Sequence, residues 1–155
     1  MNSRISPSGR LAVAAMLTVL STSGALAQVK HFNVQGALAG HDIGVVQGGT
    51  LQASGAGAGH ASHIGRFTYV LKATAVNGSS TGFFLLVFNN GDVIHGSFTG
   101  IGFGPVVENL TINGGTGRFE GATGNLTINR IFDVSTLPAF DSHSGTLTGT
   151  INKPK

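Results

Sequence analysis

The sequence predicts an all-β protein, an eight-stranded antiparallel β-barrel preceded by a signal peptide. After residue 28 no amphipathic run with helical spacing occurs, and Thr, Val, Ile and Phe alternate instead with polar or small residues. About eight such runs follow one another through short turns, which leaves no room for a crossover helix and allows a closed barrel or a sandwich. Isolated glycines inside the runs favour the barrel, because they mark the bends at which a small barrel turns its corners. These glycines are Gly65, Gly96, Gly100, Gly121 and Gly149.

The first 27 residues have the three parts of a secretory signal peptide. A basic head with Arg4 and Arg10 precedes the apolar run "LAVAAMLTVL", and a small-x-small exit ends at Ala27. A membrane anchor needs about twenty apolar residues, and this run has ten before Ser21 interrupts it. We therefore expect cleavage between Ala27 and Gln28, and a secreted or periplasmic protein.

Removal of residues 1–27 leaves a single domain, residues 28–155, of 128 residues. Its basic side chains fall from 9 to 7 against 6 acidic ones, and they are scattered from Lys30 to Lys155. A nucleic-acid-binding protein usually concentrates its basic residues in a patch, so we expect no nucleic-acid partner. The chain has no cysteine, which excludes disulfide scaffolds, thiol catalysis and cysteine-ligated zinc.

The elements are predicted in order from alternation and turn residues. The segment "NGSS" (77–80) is a predicted turn, and "NNGD" (89–92) is the clearest hairpin signal because Asn and Gly tolerate positive φ. The segment "SGAGAGH" (54–60) is predicted to be a flexible loop. The predicted strands are "VKHFNVQG" (29–36), "GVVQGGTLQAS" (44–54), "ASHIGRFTYVLKATAV" (61–76), "TGFFLLVFNN" (81–90), "VIHGSFTG" (93–100), "VVENLTIN" (106–113), "NLTINRIFDV" (125–134) and "HSGTLTGTIN" (143–152).

The stretch "GGTGRFEGATG" (114–124) has five glycines in eleven residues. We expect a turn and then a short strand segment, with Phe119 in the interior, Gly121 beside it, and Arg118 and Glu120 as an exposed pair. A phosphate cradle is excluded, because neither a Lys-Ser/Thr pair nor a helix follows. The residues with a predicted structural role are Gly114, Gly115, Gly117, Phe119, Gly121 and Gly124.

The same stretch resembles the glycine-rich strand pair of the allene oxide cyclase and dirigent barrels, including their bacterial secreted relatives. Their signature GG-(T/S/A)-G-x-F-x-x-A-x-G is matched by Gly114, Gly115, Thr116, Gly117, Phe119, Ala122 and Gly124. The segment "GHASHIGRFT" (59–68) is also similar to a Gly-x-x-x-His-x-Gly-x-Phe segment of the bacterial relatives. The resemblance covers about residues 60–151. It implies an eight-stranded antiparallel barrel, often dimeric or trimeric, with an elongated apolar cavity.

The sequence lacks the residues on which the activity of the family depends. The plant cyclases place polar cavity residues on early strands, and the first predicted strand (29–36) has no acid to match them. The cyclase cysteine has no counterpart, and the paired aspartates and arginines of the dirigent cavity are not recognisable in the sequence. The resemblance therefore implies the fold and not the activity.

The sequence has no recognisable metal site or serine nucleophile motif. His60 and His63 would face opposite sides of a strand, and the usual local zinc signatures are missing, so we expect no metal and no cofactor. No Gly-x-Ser-x-Gly elbow occurs, and Asp141, His143 and Ser144 are expected to form a surface hydrogen-bonding cluster.

Residues 82–88, "GFFLLVF", form a strand that is apolar on both faces. One face is expected to fill the barrel. The other, to which we assign Phe84 and Phe88, requires cover by a second copy of the chain, by a lipid-like ligand or by a terminal segment. The remaining strands alternate with Thr, Asn and Lys and lack aromatic girdles, so the processed protein is not expected to span a membrane.

Two functions remain open. The first is a non-catalytic barrel that binds a small apolar molecule or acts as a structural or assembly module. The alternative is an isomerase-like or cyclase-like enzyme without metal or cysteine that uses the cavity as a template. Inward-pointing charged residues favour the enzyme, and a purely apolar lining favours binding. No catalytic residue is identified, and Glu108 is a candidate binding residue because it interrupts an apolar strand.

Overall fold

The computed structural model is a closed barrel of eight antiparallel strands in which each strand pairs with the next and the last returns to the first. The structure describes residues 28–102, 104–133 and 141–155. The predicted all-β barrel of eight antiparallel strands is confirmed, whereas the predicted signal peptide, residues 1–27, lies outside the described residues. The strands are β1 Val29–Gln47, β2 Thr50–Ala61, β3 Gly65–Val76, β4 Ser79–Phe88, β5 Val93–Gly102, β6 Pro105–Gly115, β7 Thr123–Asp133 and β8 Asp141–Pro154, with one 3₁₀ turn, Gly117–Phe119.

The first two strands differ from the prediction. β1 continues through the gap that separated the first two predicted strands, and it turns into β2 at Gly48 and Gly49, whose φ angles are +59° and +80°. Two consecutive residues with positive φ form the tight turn that suits a hairpin, and glycine adopts them at low cost. The predicted loop 54–60 is wrong, because all of it lies within β2.

The core lies inside the barrel and is closed at one end. Phe67, Tyr69 and Leu71 of β3 all point inward and are buried, as their alternation predicts. The closed end is the one at which the β2–β3, β4–β5 and β6–β7 connections meet, and buried Ile64 and Phe119 fill it. The opposite end holds the β1–β2, β3–β4 and β5–β6 turns.

Phe119 anchors the glycine-rich stretch as predicted, but the local backbone differs. It is buried and its ring centroid lies 4.6 Å from that of Phe88. The expected strand segment is instead the 3₁₀ turn. Arg118 does not pair with Glu120: its Nε lies 3.4 Å from Asp92 Oδ2, and its guanidinium lies over the Phe119 ring at 4.7 Å. A turn does not keep the alternation of a strand, which explains the difference.

The glycines of this stretch are required for reasons of backbone conformation rather than interior space. Gly121 is exposed with φ +69°, so the expectation that it lies in the interior beside Phe119 is wrong. Gly117 has φ +56°, and a Cβ at this position would lie 2.6 Å from the carboxyl carbon of Asp92. A non-glycine residue is therefore disfavoured at both positions.

The two apolar faces of β4 are confirmed, but they are exchanged relative to our assignment. Phe84 and Phe88 point into the barrel and are buried. The outer row consists of Phe83, Leu85 and Val87, which are 72%, 41% and 36% exposed. Phe83 is therefore the most exposed aromatic residue of this strand.

Candidate functional site

Five polar side chains from five strands meet inside the barrel, in the half away from the closed end. We call this set the interior polar network. Two of its members, Glu108 and His143, are only 2% and 4% exposed. The members are Asp42 of β1, Tyr69 of β3, Glu108 of β6, Arg130 of β7 and His143 of β8. Alternation along each strand places each of them on the inward face of its strand.

Arg130 bridges two carboxylates. Its Nη1 donates a hydrogen bond of 2.9 Å to Asp42 Oδ2, and its Nη2 donates to Glu108 Oε1. The guanidinium also lies over the ring of Phe132, with 4.9 Å between its central carbon and the ring centroid. These contacts hold the guanidinium of Arg130 between the carboxyl groups of Asp42 on β1 and Glu108 on β6.

His143 links Asp42 to Tyr69. The Tyr69 hydroxyl is hydrogen-bonded to Nε2 of His143, and Nδ1 of His143 lies 3.5 Å from Asp42 Oδ1. These two facing atoms, Nδ1 and Oδ1, are buried and have no hydrogen-bond partner among the other described residues. A proton on Nδ1 gives both of them a partner, and Nε2 then accepts the hydroxyl proton of Tyr69. The network is therefore a continuous line, Tyr69–His143–Asp42–Arg130–Glu108.

Glycines on the neighbouring strands provide the space for this line. A Cβ on Gly57 would lie 2.5 Å from the Tyr69 hydroxyl, and a Cβ on Gly55 would lie 2.9 Å from the carboxyl carbon of Asp42. Cβ atoms do not approach other heavy atoms this closely, so a side chain at either position would displace the polar group. The Gly-Ala composition of β2 is thus part of the site.

Burial sets the protonation of the network. Burial lowers the pKa of His143 to about 4, against the carboxylate of Asp42, which raises it, so the imidazole is neutral near pH 7. Burial raises the pKa of Tyr69. Burial also raises the pKa of Glu108, although Arg130 lowers it. Burial alone would lower the pKa of Arg130, but the two carboxylates outweigh it, so the guanidinium stays charged.

The network contains two carboxyl groups and one guanidinium, which implies that one carboxyl group keeps its proton. With His143 neutral, Arg130 balances only one of the two carboxylates. A second buried negative charge without a partner is costly, and a group in that position takes up a proton instead. Glu108 is the more buried of the two acids, at 2% against 9% for Asp42, so we assign the proton to Glu108.

A small cavity of about 20 Å³ lies beside the network. It has room for about one water molecule. Tyr69, Glu108 and Arg130 reach its wall, whereas Asp42 and His143 lie behind them. The other lining residues are apolar: Leu38, Phe67, Leu71, Phe84, Leu86, Phe98, Leu110, Ile128 and Leu147. The elongated cavity that the family resemblance implies is not seen among the described residues, because large side chains fill the interior.

The network lies nearer to the end of the barrel that holds the β1–β2, β3–β4 and β5–β6 turns. On β2, β3 and β4 the inward positions towards that end carry small side chains that are half-buried. They are Ala53, Ala73, Ala75 and Ser80. Solvent reaches these residues, so this end gives the shortest approach to the network.

The structure joins some predicted residues to the network and not others. Glu108, the candidate binding residue, is one of its two acids. The expected surface cluster is wrong for His143, which is buried inside the barrel, while Ser144 is exposed and the side chain of Asp141 lies outside the described residues. The inward charged residues that the sequence analysis did not single out are Asp42 and Arg130.

The remaining predicted residues lie elsewhere. His60 and His63 are exposed, and within the described parts of the chain no three His, Cys, Asp or Glu side chains are grouped as metal ligands. The glycine-rich stretch closes the opposite end of the barrel from the network. It therefore builds the barrel and does not line the cavity.

Comparison of the chain with protein-family models, with curated proteins and with solved structures found no match. Within the described residues, no helix has both the length and the apolar character needed to cross a membrane.

Proposed function

We propose that this chain is an exported barrel of the allene oxide cyclase and dirigent type that binds a small, largely apolar molecule with one polar group. The observation that carries the proposal is the wall of the interior cavity, where Glu108, Arg130 and Tyr69 stand among apolar side chains. Such a lining suits a molecule whose body is apolar and whose single oxygen-bearing group needs a hydrogen-bond partner.

The eight-stranded closed barrel and the glycine-rich stretch support the family part of the proposal. The stretch 114–124 matches the family signature at seven positions, and its Phe119 closes the barrel. The signal peptide supports export, since residues 1–27 have the composition of a cleaved leader.

The size of the cavity sets a condition on binding. About 20 Å³ holds a water molecule and nothing larger, so a ligand must displace side chains of the wall. The half-buried Ala73, Ala75 and Ser80 leave room towards the approachable end. A ligand that enters from there reaches Glu108 before Tyr69, because Tyr69 lies deeper along β3, beyond Ala75 and Ala73.

Native mass spectrometry of the protein purified from its own host tests the proposal, followed by release and identification of any retained molecule. We expect an apolar compound with one oxygen function. Glu108→Gln removes the acid without changing the shape, and Leu110→Phe fills the cavity without touching a charge, so both variants should retain less of it. Thr148→Ser, on the outer surface, serves as the control.

The proposal fails if the wild-type protein retains no small molecule and its melting temperature does not respond to added apolar ketones or alcohols. It also fails if Leu110→Phe retains as much ligand as the wild type.

An isomerase-like or cyclase-like enzyme is the second candidate, and the inward charges favour it. A purely apolar lining has nothing that polarises or protonates a bound molecule, whereas this cavity has Glu108, Arg130 and the hydroxyl of Tyr69. Conversion of the bound molecule, measured with the same protein and the identified ligand, distinguishes the enzyme from the binder.

The outer row of β4 supports a further part of the proposal, a homo-oligomer formed through strand 82–88. Phe83, Leu85 and Val87 are exposed, and Val70 of the paired strand β3 extends the row at 46% exposure. An open groove of about 1110 Å³ beside Phe83 continues to Ile43 of β1. A second copy that covers this row would remove it from water.

A further inference from the structure

We propose that Tyr69, backed by His143 and Asp42, is the base, and that Glu108 is the hydrogen-bonding acid, of a proton-shift isomerase for unsaturated ketones. The inference rests on the proposed small-molecule site and assigns its reaction and substrate class. The supporting observation is that Tyr69 and Glu108, the two terminal residues of the interior polar network, both line the cavity.

The Tyr69 end is arranged to take up a proton. Its hydroxyl is bonded to Nε2 of His143, and Nδ1 of His143 faces Asp42 Oδ1 at 3.5 Å. When a proton reaches the Tyr69 oxygen from the cavity, the hydroxyl proton passes to His143. The imidazolium that forms lies beside the Asp42 carboxylate, which stabilises it and holds the ring in the required tautomer.

The Glu108 end is arranged to stabilise a negative oxygen. The carboxyl group is buried at the cavity wall and retains a proton because Arg130 balances only one acid. A neutral carboxylic acid donates a hydrogen bond to a carbonyl oxygen, and this bond strengthens as the oxygen becomes an enolate. Arg130 lies next to Glu108 on the same wall and adds positive charge there.

These groups fit a β,γ-unsaturated ketone. Tyr69 removes a proton from the carbon between the carbonyl and the double bond, and the electron pair of that C–H bond forms a dienolate whose oxygen is held by Glu108. The proton then returns through Tyr69 to the γ-carbon, where the electrons of the former double bond form the new C–H bond. The product is the α,β-unsaturated ketone, and every protein group ends as it began.

Cyclohex-3-enone is the probe, because it has this arrangement of atoms and is small. Its conversion to cyclohex-2-enone is followed by ultraviolet absorbance, and uptake of deuterium from heavy water is followed by mass spectrometry. Binding is measured separately by changes in the NMR spectrum of the protein. We expect turnover by the wild type, and turnover about 10²- to 10⁴-fold lower in Tyr69→Phe and His143→Gln with binding retained. Thr148→Ser on the outer surface is the matched control and should equal the wild type.

Asp42 is a positioning residue in this scheme, so its test needs more than a loss of rate. Burial lowers the pKa of His143 to about 4, although the carboxylate of Asp42 opposes this, so turnover in the wild type should fall as the pH drops towards about 4. In Asp42→Asn this fall should move to lower pH, since the imidazole is then protonated less readily. A merely structural role lowers turnover at every pH and leaves the position of the fall unchanged.

Binding of the ketone without turnover overturns this inference and leaves the proposed binding function standing. Turnover in Tyr69→Phe equal to that of the wild type also overturns it. A wild-type protein that does not bind the ketone also overturns the isomerase inference, and the proposed binding function falls with it only if the protein also retains no small molecule from its host.

Discussion

Asp42 and Gly55 face each other across the β1–β2 ladder, and the carboxylate of Asp42 occupies the space that a side chain on Gly55 would need. A Cβ on Gly55 would lie 2.9 Å from the carboxyl carbon. Because Gly55 has no side chain, the carboxylate of Asp42 can occupy this position. This relationship connects the composition of β2 directly to the electrostatics of the interior.

We predict that Gly55→Ala displaces the Asp42 carboxylate from Arg130. The added methyl group overfills a packed interior, which typically costs about 1–3 kcal/mol. Thermal melts and the ¹⁵N NMR signals of the Arg130 guanidinium measure the two effects. Gly104→Ala is the control, because no described residue apart from its chain neighbours has an atom within 4 Å of a Cβ there. Equal melting temperatures for both variants, with an unchanged Arg130 signal, would contradict the prediction.

The fold could be predicted from the sequence because its signals are local. Alternation in residues 61–76 places Tyr69 inside, and the Asn-Gly pair at 90–91 marks a hairpin. The site could not be predicted, because its members are distant: Arg130 and Asp42 are 88 residues apart. Only the closure of the barrel brings them together.

A second reason is that β2 has the composition of a loop. Five of the seven residues in the segment 54–60 are Gly or Ala, which have low strand propensity. The larger side chains that fill the space beside this segment lie on other strands. Asp42 lies between the first two predicted strands, 29–36 and 44–54, whereas β1 in the structure runs from Val29 to Gln47. One signal could have found it: an inward alternation that runs unbroken from Val34 to Asp42.

We predict that the stability of the wild-type protein falls between pH 6.5 and about 4 through His143. In the unfolded chain the imidazole takes up a proton near pH 6.5, whereas in the folded barrel its pKa is about 4. The unfolded state therefore binds more protons in this window. The contribution is fully present above pH 6.5 and is lost as the pH falls, by about 3 kcal/mol in total.

Thermal melts across this pH range should show a shallower decline for His143→Gln than for the wild type. Glu108 acts in the opposite sense, since its raised pKa contributes stability at acidic pH that is lost as the pH rises, but it is common to both proteins. His60→Gln is the control because His60 is exposed. Parallel curves for His143→Gln and the wild type would show that His143 is not held neutral.

We predict that Phe119→Ala is the most damaging change in the glycine-rich stretch. Truncation of a buried Phe typically costs about 3–5 kcal/mol. Gly121→Val should cost about 1–3 kcal/mol, because its φ of +69° strains a β-branched residue. Arg118→Ala should cost at most about 1 kcal/mol, since its ion pair with Asp92 is partly exposed.

Chemical denaturation of the three variants gives this ranking, with Glu120→Ala as an exposed control that should lie within about 0.5 kcal/mol of the wild type. If Arg118→Ala or Glu120→Ala left stability intact but abolished retention of a bound molecule, the stretch would be a binding site rather than part of the framework.

We predict that the exported protein begins at Gln28. The small-x-small exit ends at Ala27, and the backbone oxygen of Gln28 already accepts a 2.9 Å hydrogen bond from the backbone nitrogen of Lys155. Cleavage after Ala27 therefore leaves the pairing of β1 with β8 complete. Amino-terminal sequencing of exported material measures the start, and retention of Met1 would refute it.

We predict that the outer row of β4 lies between subunits. Phe83 is 72% exposed and Leu85 is 41% exposed, and a contiguous apolar row on the surface favours association. The double variant Phe83→Thr, Leu85→Thr should elute as a smaller species than the wild type in size-exclusion chromatography with light scattering. Ile131→Thr is the matched control, because Ile131 is 67% exposed but lies on β7. The wild-type and Ile131→Thr proteins should share one oligomeric mass; a monomeric wild type, or a double variant of unchanged mass, would show that this row is covered in another way.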